Sequence, residues 1–337
     1  MVNDHVHRDY PWMSASAVNT YWSCPYRYYL KYVQLLPDVD NERARRGRIL
    51  HQVFDDVYDT YTPEKVKRLM ESDVVGIPMQ RSALYTSMLQ TMAQLLDLDH
   101  KADDPDYAIY DASIQSFSLM NVQVARTIAV DGLTTSRIED MWFPTSRELF
   151  VEDEKNKLYG YIDQTRHDTD GSLMLLDYKV KGSTHPTKTV SQPWKLQAAH
   201  YTVCWMSSME EETCPKFYFV LPNVKYGNMP HVYDTTAKTV SRNAYVARVN
   251  KTRRAIDSGF FPKRCENDMV VGKDRDGDIS IRPVEGAKQI FTKYRVCAFC
   301  PYTMECLGMS AEELSNDVKL AFKEAVEGND RSIPEEE

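Results

Sequence analysis

Nowhere does the 337-residue sequence contain a run of about 18 apolar residues, the length a helix needs to span a bilayer, so no membrane-spanning helix is expected. Met1 to Val18 carries no apolar stretch behind basic residues, so no secretion signal is expected, and a cytoplasmic, intracellular protein is the default. Glycine and proline, at 13 and 16 residues, are too scarce for a fibrous or largely disordered chain. Positive charge is in deficit as well. With 41 Lys and Arg against 49 Asp and Glu the formal charge is −8, so nucleic acid must be met by a local basic surface and not by the field of the whole molecule. There is no Gly-x4-Gly-Lys-Ser/Thr loop, which excludes a P-loop motor, and no internal repeat. The seven cysteines are odd in number, which in a reducing compartment disfavours a disulfide framework and favours metal ligation.

What is present suffices for a sizeable core: 42% of residues are hydrophobic and 11% aromatic. The first 60 residues read as helical, opening at Ser14 or Ser16 as N-cap and restarting at Cys24-Pro25, where proline suits a first turn. Pro37 breaks the chain, and a second helix is expected from about Asn41 to Tyr58. Residues 61–136 keep a helical period and read as a helical insertion. From Ile138 the pattern changes to three segments rich in aromatic and branched residues, 147–153, 157–167 and 172–180, separated by polar turns: an antiparallel meander. A helix near Pro193–Met209, a strand at Lys216–Leu221 and a helix near 239–258 complete a core over 137–260. A loop-rich cysteine segment fills 261–310, and an acidic tail follows at 311–337. Asp274, Asp276 and Asp278 with Gly277 read as a hairpin turn, because the glycine is not at the sixth position a calcium loop requires.

Gly160-Tyr-Ile-Asp163 on one strand and Leu176-Asp177-Tyr-Lys179 on the next carry the chemistry. Alternation puts Asp177 and Lys179 on one strand face, and hairpin pairing brings Asp163 beside them. Two carboxylates so placed suit a hard divalent cation such as Mg²⁺, and the lysine can orient water and neutralise charge at a phosphate. An isolated Asp-x-Lys is most often a solvated strand edge, but here it ends the apolar run Leu173–Leu176, where unpaired charges are costly. His51, four residues after Gly47 on a helix, offers a nitrogen ligand that widens the choice towards Mn²⁺. Gln197 and Tyr201 share a helix face and are expected to hold phosphate or to brace Lys179. Arg43, Arg45, Arg46 and Arg48, with Lys181, Lys188 and Lys195, are candidates for a phosphate track or else a solvated face. Cys297, Cys300 and Cys306, with Cys24 far upstream, make a four-thiolate set that suits either zinc or an iron–sulfur cluster. Cys204, Cys214 and Cys265 read as small buried residues.

Taken in order, these motifs resemble the PD-(D/E)XK superfamily, in the RecB-like branch of nucleases with iron–sulfur clusters: the CRISPR-associated exonuclease family, the AddB nuclease domain and the eukaryotic iron–sulfur exonuclease. The family pattern of Cys, Gly-x-x-x-His, Gly-x-x-Asp, Asp/Glu-x-Lys, Gln-x-x-x-Tyr and Cys-x-x-Cys-x5-Cys falls on Cys24, Gly47 to His51, Gly160 to Asp163, Asp177 to Lys179, Gln197 to Tyr201, and Cys297, Cys300 and Cys306. The resemblance spans residues 14 to 306. It implies an α/β (α+β) restriction-endonuclease-like core with a central mixed sheet flanked by helices, a helical subdomain, and a cysteine-ligated cluster joining the N- and C-terminal segments. It implies Mg²⁺ or Mn²⁺ held by His51, Asp163, Asp177 and the Tyr178 carbonyl. Asp163, Asp177, Lys179, Gln197 and Tyr201 take catalytic roles, and Cys24, Cys297, Cys300 and Cys306 hold a [4Fe–4S] cluster. The expected activity is a DNA exonuclease, with endonuclease action also open, on single-stranded or end-bearing DNA in recombination or repair. A helicase, recombinase or CRISPR integration protein is the expected partner class. The long segment between His51 and Asp163 exceeds that of the compact members and is expected to arch over the site and guide single strands. The competing readings are a catalytically silent DNA-binding or partner module with the same fold and cluster, and a zinc-stapled hydrolase acting on something other than DNA.

Overall fold

The computed structural model describes residues 9–37, 42–73, 76–98, 104–130, 132–168, 170–181, 190–226, 229–263, 269–273, 279–283, 300, 302 and 305–306. By packing, the chain divides into two compact units, residues 1–16 with 40–250 and residues 17–39 with 251–337.

The first unit is built on a six-stranded mixed sheet. Its strands are β1 (Met13–Ser14), β2 (Ser146–Asp153), β3 (Leu158–His167), β4 (Leu173–Tyr178), β5 (Lys216–Tyr226) and β6 (Met229–Asp234). β2, β3 and β4 form the expected antiparallel meander, whereas β4 and β5 run parallel. A parallel pair needs a long crossover, and α8 (Gln192–Ser208) supplies it. β1 pairs with Leu158 and Tyr159 at one end of β3, and β4 pairs with residues 164–167 at the other. Both sit on the edge opposite β2, so, among the described residues, 160–163 have no strand partner on that edge.

Cross-strand alternation sorts the two faces. Leu176, Tyr178 and Val220 join a core with helices α3 (Glu42–Asp56), α4 (Pro63–Glu71), α5 (Ala83–Leu96), α6 (Tyr107–Val130) and α7 (Thr135–Met141). Phe54 stacks on Phe117 at 4.3 Å, and Tyr58 meets Trp142 edge-on at 5.4 Å. The segment expected to arch over the site thus contributes its apolar residues to the same core as α3 and the sheet. On the other face, Leu175, Phe217 and Phe219 are buried, with Tyr201 of α8 stacked on Phe217 at 6.1 Å and Trp194 against Phe219 at 5.3 Å. Fully buried His200 ties α8 to α9 (Thr239–Asp257) through a 2.6 Å hydrogen bond with the Tyr245 hydroxyl.

In the second unit Cys24, in extended geometry, is the N-cap of a short helix, α2 (Pro25–Tyr28), which continues as a π-helical turn over Tyr29–Val33. Helix α1 (Ala15–Ser23) places Tyr21 edge-on to Tyr28 at 5.5 Å, and Tyr28 stacks on Phe261 at 6.3 Å. The Tyr21 hydroxyl donates to the Phe260 carbonyl at 2.7 Å, and buried Tyr302 donates to the Leu36 carbonyl at 3.2 Å. Residues near the start of the chain and described residues from its last quarter therefore share one small core. β7 (Met269–Lys273) and β8 (Ile279–Pro283) pair antiparallel, and residues 274–278, where the hairpin turn is expected, lie outside the described residues.

Candidate metal centre

The site forms where β3 and β4 part. Their ladder runs from His167↔Leu173 to Gln164↔Leu176 and stops one step short of Asp163 and Asp177. There the Tyr178 amide donates to the Asp163 carboxylate at 2.6 Å, so a side chain replaces the ladder acceptor. From α3, one ring nitrogen of His51 donates to the Tyr178 carbonyl at 2.8 Å and the other faces Asp163 at 3.4 Å. Two of the expected ligands and the expected carbonyl are thus brought together by sequence-distant elements.

The sequence motifs did not pick out Glu148. Its carboxylate joins His51 and Asp163 in a group whose ligand atoms all lie within 4.8 Å of one another. The register that pairs Arg147 with Gln164 and Leu149 with Ile162 sets Glu148 opposite Asp163. Its backbone is left-handed, with φ of 48°, inside a strand, a conformation costing about 1–3 kcal/mol that is kept where surrounding structure enforces it. Burial, then the nearby Asp163, Asp55 and Asp177, push the Glu148 carboxyl up to about 8. Burial raises Asp55 to about 6, with Arg147 working against it. Carboxylates that raise one another's proton affinity form a site that a divalent cation would relieve, and the His/Glu/Asp donor set fits Mg²⁺ or Mn²⁺.

Asp177 stands outside that group of three. It is 1% exposed, and burial raises its carboxyl while the ion pair with Lys179 lowers it. Gln197 donates to the other Asp177 oxygen at 3.0 Å and to the Tyr201 hydroxyl at 3.2 Å. The expected bracing of Lys179 by Gln197 and Tyr201 is therefore a bracing of Asp177. Gly160 gains a steric reason from the same helix: a Cβ there would lie 2.6 Å from the Tyr201 ring. At Gly47 a Cβ would meet nothing within 4 Å, and nothing in the structure explains that glycine.

The expected basic track changes. Arg46 is buried and ion-paired with Asp106, so it is not offered to phosphate. Arg45, Arg48 and Lys195 are exposed, Lys181 lies over the Trp194 ring at 5.3 Å, and Lys188 lies outside the described residues. Of the cysteines, Cys24, Cys300 and Cys306 are half-buried in the second unit, Cys297 and Cys265 lie outside the described residues, Cys204 is buried on α8, and Cys214, expected to be buried, is half-buried. Among the described residues no helix is long and apolar enough to cross a membrane.

Compared with known proteins, residues 12–307 match the family model described as the PD-(D/E)XK nuclease superfamily. No curated protein matches the chain. A crystal structure from Eubacterium rectale, whose exonuclease assignment is itself provisional, aligns at 12% identity over 76% of this chain and 85% of that one; its TM-score of 0.38 is too low to carry an argument.

Proposed function

We propose, from the premise that the chain belongs to the PD-(D/E)XK nuclease superfamily, that it is a metal-dependent deoxyribonuclease. In this reading it acts as an exonuclease on single-stranded or end-bearing DNA. The observation that carries the reading is the juxtaposition of two sets of groups at the β3–β4 parting. One, His51, Glu148 and Asp163, can take a cation; the other is the buried Asp177 held by Lys179 and Gln197.

Held by His51, Glu148 and Asp163, a divalent cation would supply Lewis-acid chemistry at a phosphoryl oxygen. Asp163 and His51 are oriented for it by the Tyr178 main chain, and Asp177 completes the acidic wall. Lys179 compensates the buried Asp177 in the resting protein and offers its ammonium to the charge that develops on the scissile phosphate. Gln197 and Tyr201 keep the Asp177 carboxylate from rotating away. With a net charge of −8, the strand must approach along local cations, for which exposed Arg45, Arg48 and Lys195 are the candidates.

The finer assignment is the RecB-like branch, with a [4Fe–4S] cluster on Cys24, Cys297, Cys300 and Cys306. Its support is the order of the motifs and the gathering of Cys24, Cys300 and Cys306 in one compact unit. In this role the cluster is a fastener and not a redox catalyst. Repair or recombination in the cytoplasm, beside a helicase or recombinase that exposes ends, is the setting the resemblance implies.

The deciding experiment incubates end-labelled single- and double-stranded DNA with Mg²⁺ or Mn²⁺, using anaerobically purified wild type, Asp177→Asn and Lys179→Met. Metal-dependent cleavage lost in both variants supports the assignment, and the product ladder gives polarity. An intact wild type that cuts neither substrate overturns it.

A further inference from the structure

On the sheet face opposite Asp177 lies a buried cation that the proposed chemistry does not use. Arg166 of β3 is 2% exposed, and among the described residues no carboxylate bonds to it. Its guanidinium donates to the Asn121 side-chain oxygen at 3.3 Å, to the Gln164 side-chain oxygen at 3.1 Å and to the Tyr58 hydroxyl, and sits over the Tyr58 ring at 5.1 Å. Nε has no partner. A buried charge held by neutral acceptors alone is expensive, and an apolar side chain of similar volume would often be no worse for stability. Its presence calls for something that only a rigid, forked donor supplies.

That something is the orientation of Gln164. Its side-chain oxygen accepts from Arg166 and also from the Tyr178 hydroxyl at 2.9 Å, while its amide nitrogen donates to the Phe54 carbonyl at 3.4 Å. With two donors on the oxygen the amide cannot flip without leaving both unpaired. The Tyr178 ring is thereby tied down at the last residue of β4, whose amide holds Asp163 and whose carbonyl accepts from His51.

We propose that Arg166 is a positioning residue of the metal centre: through Gln164 it locks Tyr178, so that the Tyr178 main chain presents Asp163 and His51 in the geometry that takes a divalent cation. The proposal rests on the metal-dependent reading of the site. Groups that orient metal ligands from behind typically alter metal affinity by about 10–100-fold when removed.

The test titrates the full-length, metal-free protein with Mn²⁺ alone by calorimetry, alongside melting without metal and cleavage as a function of Mn²⁺. Three variants are compared: Arg166→Met, Arg166→Lys, which keeps the charge but loses the fork, and Tyr178→Phe, which removes only the hydroxyl. Each folded variant is expected to bind Mn²⁺ about tenfold or more weakly, with the Mn²⁺ needed for half-maximal cleavage rising in parallel. A role confined to stability would lower the melting temperature and leave Mn²⁺ affinity in place. Folded arginine variants with wild-type affinity overturn the proposal. If neither arginine variant folds, wild-type affinity in Tyr178→Phe overturns it. Wild type that binds Mn²⁺ without cutting DNA defeats the nuclease reading and leaves the positioning role standing, whereas wild type that binds no Mn²⁺ defeats both.

Discussion

Gly160→Ala tests whether the close approach of α8 to β3 sets the site. The new Cβ would lie 2.6 Å from one Tyr201 ring carbon and 3.1 Å from another. Moving the first contact out to 3.4 Å requires a displacement of about 0.8 Å. The ring is not free to give way, because it stacks on buried Phe217 and its hydroxyl accepts from Gln197. Overpacking of this kind costs about 1–3 kcal/mol, or roughly 2–12 °C in melting temperature at the ~2–4 °C per kcal/mol of a domain this size. The same displacement reaches Asp177 through Gln197, and a misplacement near 1 Å can cost about 10²-fold in rate. Thermal melting and single-turnover cleavage should therefore fall together. Adding Tyr201→Leu should relieve the clash and restore most of the melting temperature but not the rate, since the hydroxyl is gone. A Gly160→Ala protein that melts and cuts like wild type would refute the reasoning.

Glu148→Gln should weaken Mn²⁺ binding by about tenfold or more without lowering the melting temperature of the metal-free protein, because it removes a carboxylate that burial and then its acidic neighbours already disfavour; calorimetry with and without metal checks both halves. Phe54→Ala removes a fully buried ring stacked on Phe117 and should cost about 3–5 kcal/mol in urea denaturation. Burial lowers His200 from 6.5 to about 4, with the hydrogen bond to the Tyr159 carbonyl opposing. The folded state thus keeps it neutral while the unfolded chain takes up a proton below about 6.5. Its stabilisation is complete above that pH and lost as pH falls towards 4, by about 3 kcal/mol at ~1.4 kcal/mol per pH unit. A His200→Gln variant should lack this increment, and identical pH slopes for the two proteins in urea melts would contradict it. On the proposed cluster reading, Cys24→Ala, purified anaerobically, should lose iron and part of its folded fraction; a stable, fully active, iron-free variant would remove the fastening role.

The sequence by itself determined the order and type of most of the elements and set several candidate site residues on shared faces, because those follow from local patterns. Aromatic and branched residues between polar turns marked β3 and β4 over 157–167 and 172–180, strand alternation put Asp177 and Lys179 on one face, and the four-residue spacing of Gln197 and Tyr201 set them on one side of α8. Proline after Cys24 marked the start of α2. β1 escaped because two residues carry no period, and β6 because its pattern is too short to separate from a loop.

Tertiary structure alone decided which groups face one another. Glu148 became a candidate ligand through the β2–β3 register and a left-handed backbone, neither of which its own residue type announces. Arg46 left the expected phosphate track for Asp106, sixty positions away in sequence. Gln197 chose Asp177 over Lys179, and Arg166 turned a stretch of strand into a support for Tyr178. Side-chain direction along one element is periodic and so is written locally. The partner across a gap depends on where two elements pack, which is settled by the whole core at once.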